Sequence, residues 1–529
     1  MTTFEDLDDD VLYLILEYLY LERSAVLRTL RGSSRRLKDF ADAVAHRTLS
    51  LIDDEAHKQI TYRLAERLKD HVDQLRYYVR SLRIVNFKGD ADSYCLNSAL
   101  IVKCITRIQR LETFSWDCNQ PMSTQILDVL QQQFFKAQVC ANIALTSQVL
   151  LNIPQLHRLD VSVPCLDYFH DQRVSLFNDL KQALLRLSSL RHLSIDTYTD
   201  DKIFRLQGVS LNRLQIPLES GDRLPSLVTL ELRSTSYDFD ADHCQHLLES
   251  IDCNKLEQLT IASFNPISFF DTFSGYLPSL TYLDISYVSD IRNDPRHNRL
   301  RACSGFLTSL KSLQSLVFRF DNLDFRSDFA SVQQNVHGPH LLHLSLLARP
   351  ANSTGPELSG NIRKYLWKFA NLKSLKMEFP SIRSYHRCLH CEGCNGEDHF
   401  QFSFIPPLPS LTEVNLSVRV HSSEQPLITT INKHAHCAIR HLWTTFASKP
   451  NSQLETLSLR FWRWETGRTT ELKETIYDTM RLRGRLTIRV RHNRKIPVTV
   501  YNEICKEQED GLVLVRFDEL DQREGTVEL

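Results

Sequence analysis

The residues best suited to chemistry in this chain are cysteines and histidines grouped in one short segment near residue 390. Cys388, Cys391 and Cys394 follow a C-x2-C-x2-C spacing, and His399 comes after them. Thiolate and imidazole are the ligands that zinc prefers, and a C-x2-C pair lets two sulfurs reach one ion. These four residues therefore predict a candidate zinc site. It would be structural, because four protein ligands leave no open coordination position.

Two alternatives stay open: a loop that binds no metal, and a metal site with a different histidine ligand. The chain has no second C-x2-C pair after the first group, and a loop with exposed thiols needs no metal. His386 and His390, on either side of Cys388, could also replace one of the four ligands. The segment lies in a long gap between two predicted strands, so we expect residues 380–408 to form a looped-out insertion.

The composition excludes several classes of protein. The 529 residues are 42% apolar and 24% charged, with a net charge of −1, which is typical of a globular protein. This balance gives no long-range attraction to nucleic acid or anionic lipid, so we expect neither as a partner.

The 13 Cys are an odd count and the acidic N-terminus lacks the pattern of a secretion signal, which predicts reduced thiols inside the cell, in the cytoplasm or nucleus. Phosphate-binding glycine loops, nucleophile elbows and H-E-x-x-H pairs are missing from the sequence, so we expect no enzyme.

The first fifty residues have the pattern of two amphipathic helices. The acids Asp8 to Asp10 precede an apolar run and suit the positive end of a helix dipole. A second apolar segment runs from Val26 to Val44, and its break at Gly32-Ser33-Ser34 predicts that a helix ends and restarts there. The apolar residues that we assign to this unit are Leu7, Val11, Leu12, Ile15, Leu16, Leu19, Leu27 and Leu30.

This stretch resembles the F-box, a family in which three helices bind the Skp-type adaptor of an SCF ubiquitin ligase. The resemblance rests on the order of these apolar residues and on the Ser33-Ser34-Arg35-Arg36-Leu37 element that follows them. Asp8 stands where the family usually has Pro, and Ser33 where it usually has an aliphatic residue. The resemblance implies that the eight apolar residues face either the adaptor or the unit's own core, and the pattern does not divide these two sets. The helices could also merely cap the rest of the chain.

Downstream, a short phrase of the form Leu-x-x-Leu-x-apolar returns repeatedly. Its last positions alternate between apolar and polar residues, as a half-buried strand requires. The spacing between successive first positions varies from 24 residues, between Leu256 and Leu280, to 43, between Leu411 and Leu454. The clear copies begin at Leu156, Leu190, Leu227, Leu256, Leu280, Leu313, Leu341, Leu372, Leu411 and Leu454, and weaker ones lie at Leu82, Leu111 and Leu211.

The phrase is the strand portion of a leucine-rich repeat, and the irregular spacing resembles the degenerate repeats of fungal F-box proteins. We expect an α/β fold, in which stacked repeats form an irregular solenoid with a parallel sheet on its concave face and helices and loops outside. The predicted divisions are an F-box over 1–50, a helical linker over 51–74, the solenoid over 75–500 and a C-terminal cap or tail over 501–529.

The resemblance implies a non-catalytic substrate receptor of an SCF-type ubiquitin ligase. Its F-box would bind the Skp-type adaptor and, through it, the cullin and RING subunits, while the repeats would hold an unknown target protein. An alternative is a repeat scaffold without ligase association. A further alternative is a metal-dependent nucleic-acid binder that uses the cysteine segment and the basic residues 481–495.

Overall fold

The structure is a computed structural model, and the residues that it describes fall into two compact units. Unit 1 comprises Met1–Asp200, Leu214–Arg233 and Glu249–Lys255, and unit 2 comprises Asp201–Arg213, Ser234–Leu248 and Leu256–Leu529. The described residues are 7–88, 96–144, 153–164, 170–198, 215–233, 237–263, 266–287, 296–320, 340–348, 366, 369–379, 386–387, 398–399, 408–421, 453, 456–467, 479–493, 496–508 and 511–516.

Unit 1 begins with a pair of helices and continues with strands separated by helices or loops. Its helices are α1 (Asp9–Leu30), α2 (Arg35–Ala45), α3 (Lys58–Lys69), α4 (Leu75–Tyr78), α5 (Ser98–Arg107), α6 (Thr124–Gln133) and α7 (His170–Leu184). Its strands are β1 (Thr48–Ile52), β2 (Ser81–Val85), β3 (Thr113–Asp117), β4 (Gln138–Ala144), β5 (Leu156–Pro164), β6 (His192–Tyr198) and β7 (Thr229–Leu232).

Each described strand of unit 1 pairs in parallel with the next along the chain. The register places equivalent positions of the repeated phrase side by side, so that Leu193 lies between Leu159 and Leu230. All three side chains are buried. Because each strand adds its leucine to the same row, the strands form one continuous apolar core that no single copy could form alone.

The sheet of unit 1 begins earlier than the sequence predicted. Strand β1 lies across the boundary that we drew at residue 50, and it pairs in parallel with β2. Thr61 of α3 fixes this strand from the side, because its Oγ1 accepts a hydrogen bond from the Ile52 amide at 3.1 Å and donates one to the Ile52 carbonyl at 2.9 Å. The copy at β1 has His46 where the phrase has its first Leu, which is why the pattern did not reveal it.

Unit 2 continues the alternation and adds a group of long strands at its end. Helix α8 (Ala241–Ser250) lies mainly in this unit, which also contains α9 (Ile267–Phe273) and α10 (Arg296–Ser309). Its strands are β8 (Gln258–Ser263), β9 (Tyr282–Tyr287), β10 (Ser315–Phe320), β11 (His343–Ala348), β12 (Ser374–Phe379), β13 (His386–Arg387), β14 (Asp398–His399), β15 (Glu413–His421), β16 (Thr456–Gly467), β17 (Thr479–Asn493), β18 (Ile496–Gln508) and β19 (Gly511–Arg516).

The main sheet of unit 2 is parallel through β16 and antiparallel after it. Leu283, Leu316, Leu344 and Leu375 occupy one row of the parallel part, which again aligns equivalent positions of the phrase. We expected the parallel solenoid to continue to residue 500, but β17 pairs antiparallel with β16. The antiparallel pairing continues through β18 and β19, which lie mostly in the predicted cap or tail over 501–529. Strands 13 to 15 residues long match no copy of the six-residue phrase, so the repeat pattern could not predict their direction.

The core of unit 2 contains a group of aromatic rings and one buried imidazole. The rings of Phe269 and Phe273 stack with their centroids 4.1 Å apart, and Phe239 meets Phe269 edge-on. His243 of α8 is buried beside them, with its Nε2 2.9 Å from the hydroxyl oxygen of Tyr237. Burial disfavours the charged imidazolium and lowers the pKa of His243 to about 4.

The described residues thus form an α/β protein built on a parallel sheet, with a repeated strand unit consistent with a solenoid. This confirms the predicted fold class at that level. Residues 386–387 and 398–399 form a separate antiparallel pair within the segment that we predicted as the 380–408 insertion.

Candidate docking surface on the N-terminal helices

Helix α1 begins where the acidic residues predict it. The Leu12 amide donates to the Asp8 carbonyl at 2.9 Å, and Asp9 and Asp10 occupy the first turn, where the helix dipole favours negative charge. The helix then continues for 22 residues to Leu30. The described part of this unit therefore contains one long and one shorter helix, whereas the F-box family has three.

Two serines form hydrogen bonds in the turn between α1 and α2. The Ser33 hydroxyl donates to the Thr29 carbonyl at 3.3 Å, so it satisfies a backbone group at the end of α1. The Ser34 side chain accepts from the Leu37 amide at 3.2 Å and caps the start of α2. A serine at position 33, unusual for the family that this stretch resembles, thus closes the first helix by a hydrogen bond.

The two helices pack on each other through a small apolar core. Leu12 and Leu16 of α1 are fully buried against Leu37, Ala41 and Val44 of α2. At roughly 1.5–3 kcal/mol for each fully buried leucine side chain, these contacts are the main stabilisation of the pair. Partly buried residues close the sides of this core, namely Leu7, Tyr13, Leu19, Leu30, Phe40 and Ala45.

A second apolar stripe of α1 points away from this core. Val11, Leu14 and Tyr18 are 43%, 64% and 64% exposed, and Ile15 between them is half-exposed. The spacing i, i+3, i+4, i+7 places all four on one face of the helix. We call Val11, Leu14, Ile15 and Tyr18 the α1 stripe. Four neighbouring apolar side chains on one exposed helix face are typical of a surface that another protein covers.

Arginines join the helix pair to its surroundings. Arg36 of α2 donates to the Leu7 carbonyl at 2.7 Å and to the Asp9 carboxylate at 2.6 Å, so it ties the start of α1 to α2. Arg47, just before β1, donates to the Glu17 carboxylate at 2.5 Å and to the Tyr13 hydroxyl at 3.3 Å. The α1 stripe therefore lies on a helix that is anchored both to its partner helix and to the first strand.

The structure divides the residues predicted for adaptor binding between the core of the helix pair, the sides of that core and the exposed α1 stripe. Leu12 and Leu16 belong to the unit's own core, and Leu7, Leu19 and Leu30 pack at its sides. Only Val11 and Ile15 lie on the α1 stripe. The side chain of Leu27 lies outside the described part of the chain.

Sequence reasoning missed Leu14 and Tyr18, the two most exposed members of the α1 stripe. The periodicity that we used picked out residues 11, 12, 15, 16 and 19. These residues belong partly to the buried face of α1 and partly to the exposed one. A search for apolar residues one and two turns after Val11 would have added both.

The predicted metal site cannot be placed. Cys388, Cys391 and Cys394 lie outside the described residues, and only the backbone of His399 is described, where it pairs with His386. Among the side chains that the structure does describe, no group of three His, Cys, Asp or Glu residues could hold a metal ion. The basic side chains of 481–495 also lie outside the described part, although the backbone of 479–493 forms β17.

Several described thiols are unsuited to nucleophilic chemistry. Burial raises the pKa of Cys104, Cys118 and Cys244 to about 12. A thiol with such a pKa stays protonated near neutral pH, whereas the thiolate is the reactive form.

Comparisons with known proteins return no relative: no protein-family model matches the chain, and no curated protein matches it. Within the described helices, none has the length and apolar character needed to cross a membrane.

Proposed function

We propose that this protein is a non-catalytic substrate-recognition subunit of an SCF-type ubiquitin ligase. In this proposal α1 and α2 form an F-box that binds the Skp-type adaptor, which connects to the cullin and RING subunits. The parallel strands are degenerate leucine-rich repeats that bind the target protein. The chain would then contribute proximity and orientation, and its partners the chemistry.

The α1 stripe is the observation that carries this proposal. A helix pair that only capped the sheet would need no row of apolar side chains directed away from its own core. An amphipathic helix that inserts its apolar face into a partner's groove uses residues at this spacing. The repeated strands support the second half of the proposal, because stacked repeats provide an extended surface for binding another protein.

A plain interaction scaffold without ligase association is the second candidate. The contacts of Arg47 with Glu17 and Tyr13 favour it, because a helix pair fixed to the first strand is suited to covering the end of a solenoid. The two functions differ in whether the α1 stripe has a partner.

Binding of the full-length chain to a purified Skp-type adaptor separates the two. Burying the exposed 64% of the Leu14 side chain is worth about 1–2 kcal/mol, or roughly 5- to 30-fold in affinity. Leu14→Asp, which also places a charge in the interface, should weaken binding at least that much. Ile60→Asp is the matched control, since Ile60 on α3 is 59% exposed and lies off the stripe.

Affinity that falls with Leu14→Asp and stays within two-fold with Ile60→Asp supports the ligase receptor. Absence of binding by the wild type favours the scaffold, whereas binding with equal affinity by all three proteins would reject the α1 stripe as the adaptor-binding surface. Isolation of the complexes from cells, with identification of their chains, would then report both the cullin and the target.

A further inference from the structure

Three arginines meet around one carboxylate at the entry ends of the first three strands. Glu112, just before β3, lies 3.9 Å from Arg47, 3.8 Å from Arg80 and 3.4 Å from Arg110. All four side chains are partly or largely exposed. We call Arg47, Arg80, Arg110 and Glu112 the strand-entry cluster.

The backbone holds this cluster in a fixed arrangement. The Arg47 carbonyl accepts from the amides of Arg80 and Ser81, each at 2.9 Å. The Arg80 carbonyl in turn accepts from the amides of Glu112 and Thr113, at 2.7 and 3.0 Å. Because the ladder of the sheet places residues 47, 80 and 112 in one row, their side chains project from a rigid edge.

The cluster has more positive than negative charge. The three guanidinium groups pair with two carboxylates, those of Glu112 and Glu17, and also donate to the Tyr13 hydroxyl and the Arg110 carbonyl, whereas each guanidinium has five N–H donors. Guanidinium groups gathered around one carboxylate also repel each other, and an additional anion would relieve this repulsion. The excess of donors and charge therefore suits an acidic surface.

Aromatic and basic side chains of α4 extend the cluster. The Arg76 guanidinium lies over the ring of the exposed Tyr77, 4.6 Å from its centroid. The Gln109 amide donates to the Arg76 carbonyl at 3.1 Å, which brings α4 next to the loop that contains Arg110. Arginine and tyrosine are the residues enriched at the energetic centres of protein interfaces.

The cluster is also continuous with the α1 stripe. Arg47 contacts Glu17, which lies three residues after Leu14 on α1 and therefore borders the Leu14 edge of the α1 stripe. A partner that covers the α1 stripe therefore comes to the edge of the strand-entry cluster.

We infer that the strand-entry cluster is a second contact for the protein that covers the α1 stripe, and that it receives an acidic surface of that protein. This inference rests on the proposed function, in which that protein is the Skp-type adaptor. The adaptor then contacts the first repeats as well as the F-box helices. The apolar stripe provides affinity, while the arginines speed association and set orientation.

The test measures binding of the adaptor to the full-length chain at several salt concentrations. The double variant Arg80→Gln, Arg110→Gln removes two charges and leaves Arg47 in its contact with α1. The control, Arg158→Gln with Arg233→Gln, removes two half-exposed arginines, one in β5 and one directly after β7. Each pairs with one carboxylate outside the cluster, Asp160 and Glu231 respectively. Circular dichroism confirms that each variant is folded.

At about 0.05 M salt we expect roughly ten-fold weaker binding for the cluster variant, mainly through slower association. At about 0.5 M salt the difference should shrink to within two-fold, because salt screens exposed charges. The control should match the wild type throughout.

Three results would overturn the inference in distinguishable ways. If Leu14→Asp weakens binding but the cluster variant behaves as wild type at every salt concentration, the second contact does not exist and the proposed function stands. If the wild type does not bind the adaptor at all, both fail. An anionic polymer such as RNA that binds the wild type but not the cluster variant, without adaptor binding, would also reject the inference.

Discussion

Burial of His243 predicts that acid destabilises unit 2. The unfolded imidazole has a pKa of 6.5, whereas the folded one has a pKa of about 4. Between these values the unfolded state binds a proton that the native state does not. The free energy of unfolding therefore falls as the pH drops from about 6.5 towards 4.

The magnitude of this effect follows from the two pKa values. At about 1.36 kcal/mol for each pH unit, His243 contributes a loss of about 2 kcal/mol at pH 5 and about 3 kcal/mol by pH 4. The stabilisation by the neutral His243 side chain is fully present above pH 6.5 and is lost below the folded pKa. It is a large part of the stability of an ordinary domain.

His243→Gln isolates this contribution, because glutamine can still hydrogen-bond the Tyr237 hydroxyl but does not titrate. Unfolding of wild type and variant in urea at pH 7, 6, 5 and 4.5 would be followed by pulsed hydrogen exchange in peptides that cover residues 237–250. The wild type should lose about 2 kcal/mol more than the variant between pH 7 and pH 5. A wild-type to variant difference that does not change with pH would refute the reasoning.

The remaining predictions concern the helix pair and the buried thiols. Leu16→Ala should lower the free energy of unfolding of the helix pair by about 2–5 kcal/mol, because it leaves a cavity in a fully buried core. Val11→Ala should change it by less than about 0.5 kcal/mol, and equal effects in denaturant titrations would contradict the division of the two faces. Cys104, Cys118 and Cys244 should resist iodoacetamide at pH 8 in the native protein and react in urea, as measured by mass spectrometry. Rapid labelling of any of these three thiols in the native protein would contradict the prediction that burial protects them.

The sequence was sufficient to predict the repeated strand unit. Where their side chains are described, the leucines at the first and second positions of the copies, such as Leu190 and Leu193, are buried, and the parallel register aligns those at the second position. This succeeds because a strand's alternation is local and its packing is set by the same residues. Two of the parallel strands that were missed, β1 and β4, have His46 and Lys136 where the phrase has its first leucine.

The candidate site was harder to predict for a physical reason. Leu12 and Leu14 are both apolar residues of one helix, yet one is fully buried and the other is largely exposed. What separates them is the position of α2, fixed by the contacts of Leu37 and by the hydrogen bonds of Arg36. Such contacts join residues about thirty positions apart, so the periodicity of one helix does not contain them.

The constant register of the parallel strands has a consequence for how this protein can change. Copies of the phrase are 24 residues apart at Leu256 and 43 apart at Leu411, yet their strands still align position for position. Residues can therefore be gained or lost between strands without displacing the rows that form the core. Evolution could lengthen these connections to acquire new binding loops, and a protein engineer could graft peptides into them, while the sheet stays unaltered.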